Sequence, residues 1–154
     1  MEMRSKSLAR AQWVPVHRFL IAFFGTTFLI SGCATNVSRP TVSNIALQNH
    51  KTFYIIQNET DNRGISRIIE SELALLGKGA KAGPRMAIPN GVNAVVTYYE
   101  DWKWDMTWYL LNLLIQFRDP QTNVLLSSAA SYRSSLARTE PELMVREVLE
   151  AIFK

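Results

Sequence analysis

The sequence has little of the chemistry that most catalytic sites need. Its 154 residues include one cysteine and two histidines. His17 lies before the cleavage site predicted below, which leaves His50 as the remaining imidazole and Cys33 as the single thiol. A catalytic triad or a histidine metal site would have to use His50, and no cofactor motif is present. We therefore predict no catalytic site, no metal site and no cofactor.

An excess of charge of one sign is also lacking from most of the chain. The formal net charge is +4, but four of the 17 basic residues and one of the 13 acidic residues lie before Cys33. From Cys33 onward the chain has 13 basic and 12 acidic residues. Such a balanced charge gives no electrostatic basis for binding nucleic acid, so we exclude nucleic acid as a partner.

No hydrophobic run is long enough for a membrane-spanning helix. The run Phe19–Ile30 has 12 uncharged residues, whereas a spanning helix needs roughly 17–25. A basic leader precedes the run, and the small residues Ser31 and Gly32 follow it. This arrangement is typical of a secretory signal peptide. An uncleaved N-terminal anchor helix is the alternative.

The sequence ISGC at positions 30–33 ends this run and resembles the lipobox of bacterial lipoproteins. The resemblance implies that Cys33 carries a diacylglycerol, that a peptidase cuts between Gly32 and Cys33, and that the new amine is acylated, for example with palmitate. We expect a signal peptide over 1–32, a lipidated tether over 33–50 and one domain over 51–154. Ala34 stands where an Asp would favour the inner membrane. The resemblance therefore implies the periplasmic side of the outer membrane, with the inner membrane as the alternative.

Hydrophobic periodicity predicts an α+β domain with the element order β-α-β-β-β-α. We expect a two-layer sandwich, in which two helices cover one face of a four-stranded, largely antiparallel sheet. Asp61 is the expected cap of the first helix, and Gly77 is expected to end it. The glycine- and proline-containing segment 78–93 is predicted to be a loop. The predicted strands span 52–57, 94–106, 108–119 and 124–134, and the predicted helices span 62–76 and the segment from Thr139 to the chain end.

A tryptophan-rich stretch is the strongest candidate for a contact surface. Alternation places Trp102 and Trp104 on one strand face, and Trp108 begins the next strand. The face of the sheet without helices would then present these three side chains to a partner, since aromatic groups dominate interface energetics. Cross-strand packing that stiffens a long hairpin is the alternative interpretation.

Three carboxylates in the same stretch admit an acid–base interpretation. Glu100, Asp101 and Asp105 lie close in sequence, and Asp101 and Asp105 share a strand face. The competing interpretation is a solvated face on which these groups pair with Lys103 and Arg118. An enzyme would gain support if the fold collected Asp101, Asp105 or His50 in a deep pocket.

The last third of the chain resembles a group of small uncharacterised lipoproteins from proteobacteria. The shared features are the tyrosine pair 98–99, the WDM sequence at 104–106, the Asp-Pro pair 119–120 and a closing amphipathic helix over 144–153. The element order is also similar to that of the outer-membrane lipoprotein of the lipopolysaccharide translocon. These resemblances imply a non-enzymatic envelope lipoprotein that binds a protein partner or assists assembly. A purely structural lipoprotein and an enzyme with an unrecognised site are the alternatives.

Overall fold

The computed structural model describes residues 35–38 and 47–153. Within these ranges the fold is mixed α/β, with one sheet and two α-helices. The strands are β1 (Thr35–Ser38), β2 (Thr52–Ile56), β3 (Gly79–Gly83), β4 (Ala94–Asp105), β5 (Thr107–Arg118) and β6 (Leu125–Arg133), and the helices are α1 (Ile65–Leu75) and α2 (Pro141–Phe153).

The sheet differs from the predicted four-stranded, largely antiparallel arrangement. Residues 47–153 supply five strands and β1 adds a sixth at one edge, in the spatial order β1-β6-β5-β4-β2-β3. The pairs β1–β6, β6–β5 and β5–β4 are antiparallel, whereas β2 is parallel to both β3 and β4. Parallel neighbours need a crossover connection, and α1 is part of the one between β2 and β3.

Two of the strands occur where the sequence predicted none. Residues 78–93 contain β3 and a short 3₁₀ turn, Arg85–Ala87, so the prediction of a loop was wrong. The predicted tether contains β1, whose backbone pairs with β6. In β3, a Cβ at Gly83 would overlap the Tyr54 hydroxyl, so a larger residue there would displace this buried side chain of β2.

Helix α1 begins and ends at features that the sequence contains. It starts three residues later than predicted, and its N-cap position is Gly64 and not Asp61. The Asp61 carboxylate still accepts hydrogen bonds from the first helical amides, those of Ile65 and Ser66, both at 2.9 Å. Gly77 has a φ of 72°, and the Lys78 amide bonds to the carbonyl of Leu73. These contacts form a Schellman motif, which confirms the predicted helix end.

The main core lies between the helices and one face of the sheet. Both helices bury an apolar stripe against alternate residues of β2, β4, β5 and β6. The rings of Phe53, Phe117 and Phe153 meet edge to face, with centroids 5.3 to 5.8 Å apart. The two helices are also joined by a two-bond contact between the buried Glu72 carboxylate and Arg146. The apolar faces of the helices and the contact between Glu72 and Arg146 therefore hold both helices on one side of the sheet.

The other face of the sheet is only partly covered. A small cluster of Tyr54, Ile56 and Val95 lies there, and the segment 85–93 packs on it through Ile88 and Val92. Farther along the same face, the side chains of β4 and β5 are open, and Tyr99 is 57% exposed. The prediction of an open sheet face is thus correct for part of the sheet.

Candidate functional site at the hairpin end

The end of the β4–β5 hairpin, residues 102–109, carries all three tryptophans of the predicted surface. A β-bulge separates this hairpin end from the rest of the sheet, because Asp101 pairs with Asn112 and Trp102 pairs with Leu110. Leu111 therefore has no partner on β4. The extra residue shifts the alternation of β5 by one, so that Leu110 and Leu113 are both fully buried in the main core.

The tryptophans lie on the side of the sheet that the helices cover. Trp102 and Trp104 continue the alternation of the buried Tyr98 along β4, and the bulge in β5 brings Trp108 to the same face. Trp102 lies opposite the buried Leu110 and packs against the main core, and Trp104 lies directly opposite Trp108. The prediction that these side chains lie on the open face was therefore wrong. They belong to the core face, where Trp102 is partly buried and Trp104 and Trp108 are exposed.

Trp102 is fixed by two polar neighbours. Its indole N–H donates to the Glu100 carboxylate at 2.6 Å, and the Arg63 guanidinium lies 4.3 Å from the ring centroid. Arg63 also lies 5.0 Å from the Trp108 ring, so one cation joins two of the tryptophans. Sequence analysis missed Arg63, because nothing in its local sequence indicates that it meets residues about 40 positions away.

The tip of the hairpin end is exposed and apolar. Trp104 is 65% exposed, Trp108 is 55% exposed, and Met106 at the turn between them is 86% exposed. Met106 has a φ of 60°, a left-handed conformation that costs a non-glycine residue roughly 1–2 kcal/mol. Large apolar side chains grouped in this way are typical of an interaction surface.

The carboxylates near the tip are paired with separate cations. Asp101 contacts Lys103 at 3.2 Å, as predicted, but Asp105 contacts Arg138 at 2.8 Å. Arg138 also donates to the Thr107 hydroxyl and lies over the Tyr109 ring, so it fixes the edge of β5. The predicted pairing with Arg118 was wrong. The guanidinium of Arg118 bonds to the Gln116 side chain and the Asn123 carbonyl instead.

A part-buried polar group connects the hairpin to the start of α1. The Tyr98 hydroxyl donates to Asp61 at 2.8 Å. Burial acts to raise the pKa of Asp61, but hydrogen bonds from the Ser66 amide, Tyr98 and the Ile65 amide outweigh it and hold the pKa below its ordinary value. Burial raises the pKa of Glu100, and the nearby Asp61 charge adds to this effect.

We expect Asp61→Asn to destabilise the domain by about 1–2 kcal/mol at pH 7, because a neutral amide replaces the charged acceptor of the bonds from the Ile65 amide, the Ser66 amide and the Tyr98 hydroxyl. Because its pKa is lower in the folded state, Asp61 contributes its full stabilisation above the unfolded pKa of about 3.9 and loses it as the pH falls through the folded value. Urea unfolding measures the difference in free energy of unfolding between wild type and variant, and we expect this difference to be smaller at pH 3 than at pH 7. The exposed Glu59→Gln is the matched control. An equal difference at both pH values would contradict a stabilising role for the Asp61 anion.

The remaining predicted site residues fall in two groups. Gly32 and Cys33 lie outside the described residues. His50 is half-buried, and its Nδ1 has no hydrogen-bond partner within the described ranges. Across 35–38 and 47–153, no group of three or more His, Cys, Asp or Glu side chains could hold a metal ion.

Among the described residues, neither α1 nor α2 is long and apolar enough to cross a bilayer.

Comparison with known proteins shows the fold and no family. No family model matches the sequence, and neither does any curated protein. The PelC dodecamer from Paraburkholderia phytofirmans has a TM-score of 0.57 at 17% identity, and a point variant of it has 0.58 at 15%; each match covers 77% of this chain and 97% of the other. A minor lipoprotein from Acinetobacter baumannii has a TM-score of 0.34 at 16% identity, over 68% of this chain and 88% of the other. That last similarity is too low to support an argument.

Proposed function

We propose that this protein is a lipid-anchored assembly protein of the bacterial envelope, attached through Cys33 and acting without catalysis through its hairpin end. It is exported and faces the periplasm at the outer membrane. The main support for a contact with another protein is the exposed apolar tip, where Trp104 and Trp108 flank Met106. Burial of such a tip against another protein removes apolar area from water, which stabilises the complex.

The construction of the hairpin end supports a binding role. The exposed side chains of Trp104 and Trp108 lie next to ordered neighbours. Trp102 packs on the core, and Arg63 lies over the rings of both Trp102 and Trp108. Arg138 and Asp105 hold the neighbouring edge. A contact surface that is already ordered loses less conformational entropy on binding, which increases affinity.

The first candidate for the partner is a second copy of this chain. The PelC structures with this fold are dodecamers. The tip of one copy would contact a different surface of the next, which is a head-to-tail arrangement that can close into a ring. The balanced charge from Cys33 onward does not oppose such self-association.

We expect the full-length chain in detergent to sediment as an assembly of several copies and the Trp104→Ser/Trp108→Ser variant to sediment as a monomer. The substitutions remove the exposed apolar tip and leave Trp102 in place. Leu75→Ser is the matched control, because Leu75 is 74% exposed at the C-terminal end of α1. Circular dichroism should show that all three proteins are folded. An unchanged mass for the double variant would show that the hairpin end is not the contact between copies.

A further inference from the structure

A concavity of about 530 Å³ lies on the sheet face opposite the helices. Its floor consists of three cross-strand pairs, Val95–Arg118, Thr97–Gln116 and Tyr99–Leu114. The 3₁₀ turn Arg85–Ala87 and the β5–β6 turn, residues 119–123, border it. A volume of this size is within the range of small-molecule sites.

Positive charge exceeds negative charge in this concavity. Arg85 and Arg118 line it, and within the described ranges neither lies within 4.0 Å of a carboxylate. The acidic group beside them, Asp119, is already occupied, since its Oδ1 accepts bonds from the amides of Gln121 and Thr122 and from the Thr122 hydroxyl. The hydrogen bonds from Thr122 and Gln121 lower the pKa of Asp119, so this carboxylate remains ionised and hydrogen-bonded within its own turn.

Arg118 is held in one orientation. Its Nη1 donates to the Asn123 carbonyl and its Nη2 donates to Gln116, both at 3.1 Å. A guanidinium has five N–H donors, so these two bonds leave others for a ligand. A fixed planar guanidinium suits a carboxylate or a phosphate, which it can bind through two parallel hydrogen bonds.

The rest of the lining suits a hydroxylated ring. Tyr99 presents a largely exposed aromatic side chain next to Leu114, which gives an apolar floor. Thr97, Gln116 and Asn58 add uncharged donors and acceptors around that floor. The site thus combines cations for an anion, an apolar surface for a ring and polar groups for hydroxyls.

We propose that this concavity binds an anionic sugar, that is, a sugar ring carrying a carboxylate or a phosphate. The anion contacts Arg118 and Arg85, and the ring lies against Tyr99 and Leu114. The site is on the opposite face from the tryptophans, so ligand binding and the hairpin-end contact are separate properties of the domain.

Titration calorimetry on the full-length chain in detergent tests whether binding requires both the anion and the sugar ring. The probes are glucuronate, glucose 6-phosphate, neutral glucose and inorganic phosphate. We expect both anionic sugars to bind about tenfold or more tightly than glucose, which lacks the charge for the guanidinium groups, and than phosphate, which lacks the ring that lies against Tyr99 and Leu114. The stronger of the two anionic sugars identifies the preferred anion.

Variants locate the site. Arg118→Lys keeps the charge and removes the planar pair of donors, and Arg85→Gln removes a charge at the rim; each should weaken anionic sugars about tenfold. Arg67→Gln, on the exposed side of α1, is the matched control and should change nothing. The proposal is overturned if no probe binds, if glucose or phosphate binds as tightly as the anionic sugars, or if Arg67→Gln weakens binding as much as Arg118→Lys.

Discussion

Replacement of Cys33 by serine is expected to abolish the attachment of acyl chains to the protein completely. Serine has no thiol to form the thioether, so the diacylglycerol is not attached. Each buried methylene of an acyl chain contributes about 0.8 kcal/mol to membrane binding, and stable attachment takes two or more chains. Loss of all of them therefore leaves the folded domain with no lipid anchor.

Fractionation of cells expressing each variant, with labelled palmitate in the medium, measures this effect. Wild type should carry label and collect with outer membranes on a density gradient, and Cys33→Ser should carry none. Ala34→Ser is the matched control, since it changes the adjacent residue and keeps the thiol. Membrane attachment and labelling of Cys33→Ser at the wild-type level would contradict lipid anchoring at this residue.

Phe117→Ala is expected to lower the free energy of unfolding by about 3–5 kcal/mol. Phe117 is fully buried, and its ring meets Phe53 at 5.3 Å and Phe153 at 5.5 Å. Its removal leaves a cavity and deletes two of the three edge-to-face contacts. Because Phe153 lies in the last turn of α2, the variant should also loosen the end of that helix.

Urea unfolding followed by circular dichroism measures this loss. Phe117→Leu should cost clearly less, because it keeps most of the buried apolar volume. Leu136→Ala is the surface control, since Leu136 is 87% exposed, and it should be nearly neutral. Equal stability of Phe117→Ala and Leu136→Ala would show that the three rings do not form the centre of the core.

Local signals in the sequence were sufficient for much of the framework. Alternation along β5 predicted that Leu111, Leu113, Ile115 and Phe117 face one way. The last three are fully buried, whereas Leu111 is the bulged residue and only half-buried. Asp61 was recognised as an acceptor at the start of α1 and Gly77 as its end, because such contacts depend on a few adjacent residues. The mixed α/β class and the two helices follow from periodicities of the same local kind.

The features that were missed depend on distant parts of the chain. Strand β3 consists of glycine, alanine and lysine, which have low strand propensity, and it forms because β2 offers a paired edge and Gly83 fits against Tyr54. Its free edge is partly covered by Glu70 of α1, which accepts a bond from the Ala82 amide. Neither condition can be read from the local sequence of residues 79–83.

The position of Trp108 was missed for a related reason. Leu110, Leu111 and Leu114 are all apolar, so hydropathy cannot show which of them is the bulged residue. A shift of one residue moves every following side chain to the other face of the strand. The bulge at Leu111 therefore reversed the expected face of Trp108. Trp102 and Trp104 instead follow the unbroken alternation of β4 from the buried Tyr98, which the prediction of an open-face surface overlooked.

Photocrosslinking in intact cells tests the proposed contact most directly. A photoreactive phenylalanine analogue at position 106 places the reactive group at the centre of the apolar tip, and the same analogue at position 75 is the control. We expect position 106 to give one defined crosslinked product, position 75 to give none, and Trp104→Ser/Trp108→Ser to abolish the product while the domain stays folded. A product of twice the monomer mass that contains only this chain identifies the second copy. Absence of any defined product from position 106, or an equal product from position 75, would contradict an assembly protein that acts through its hairpin end.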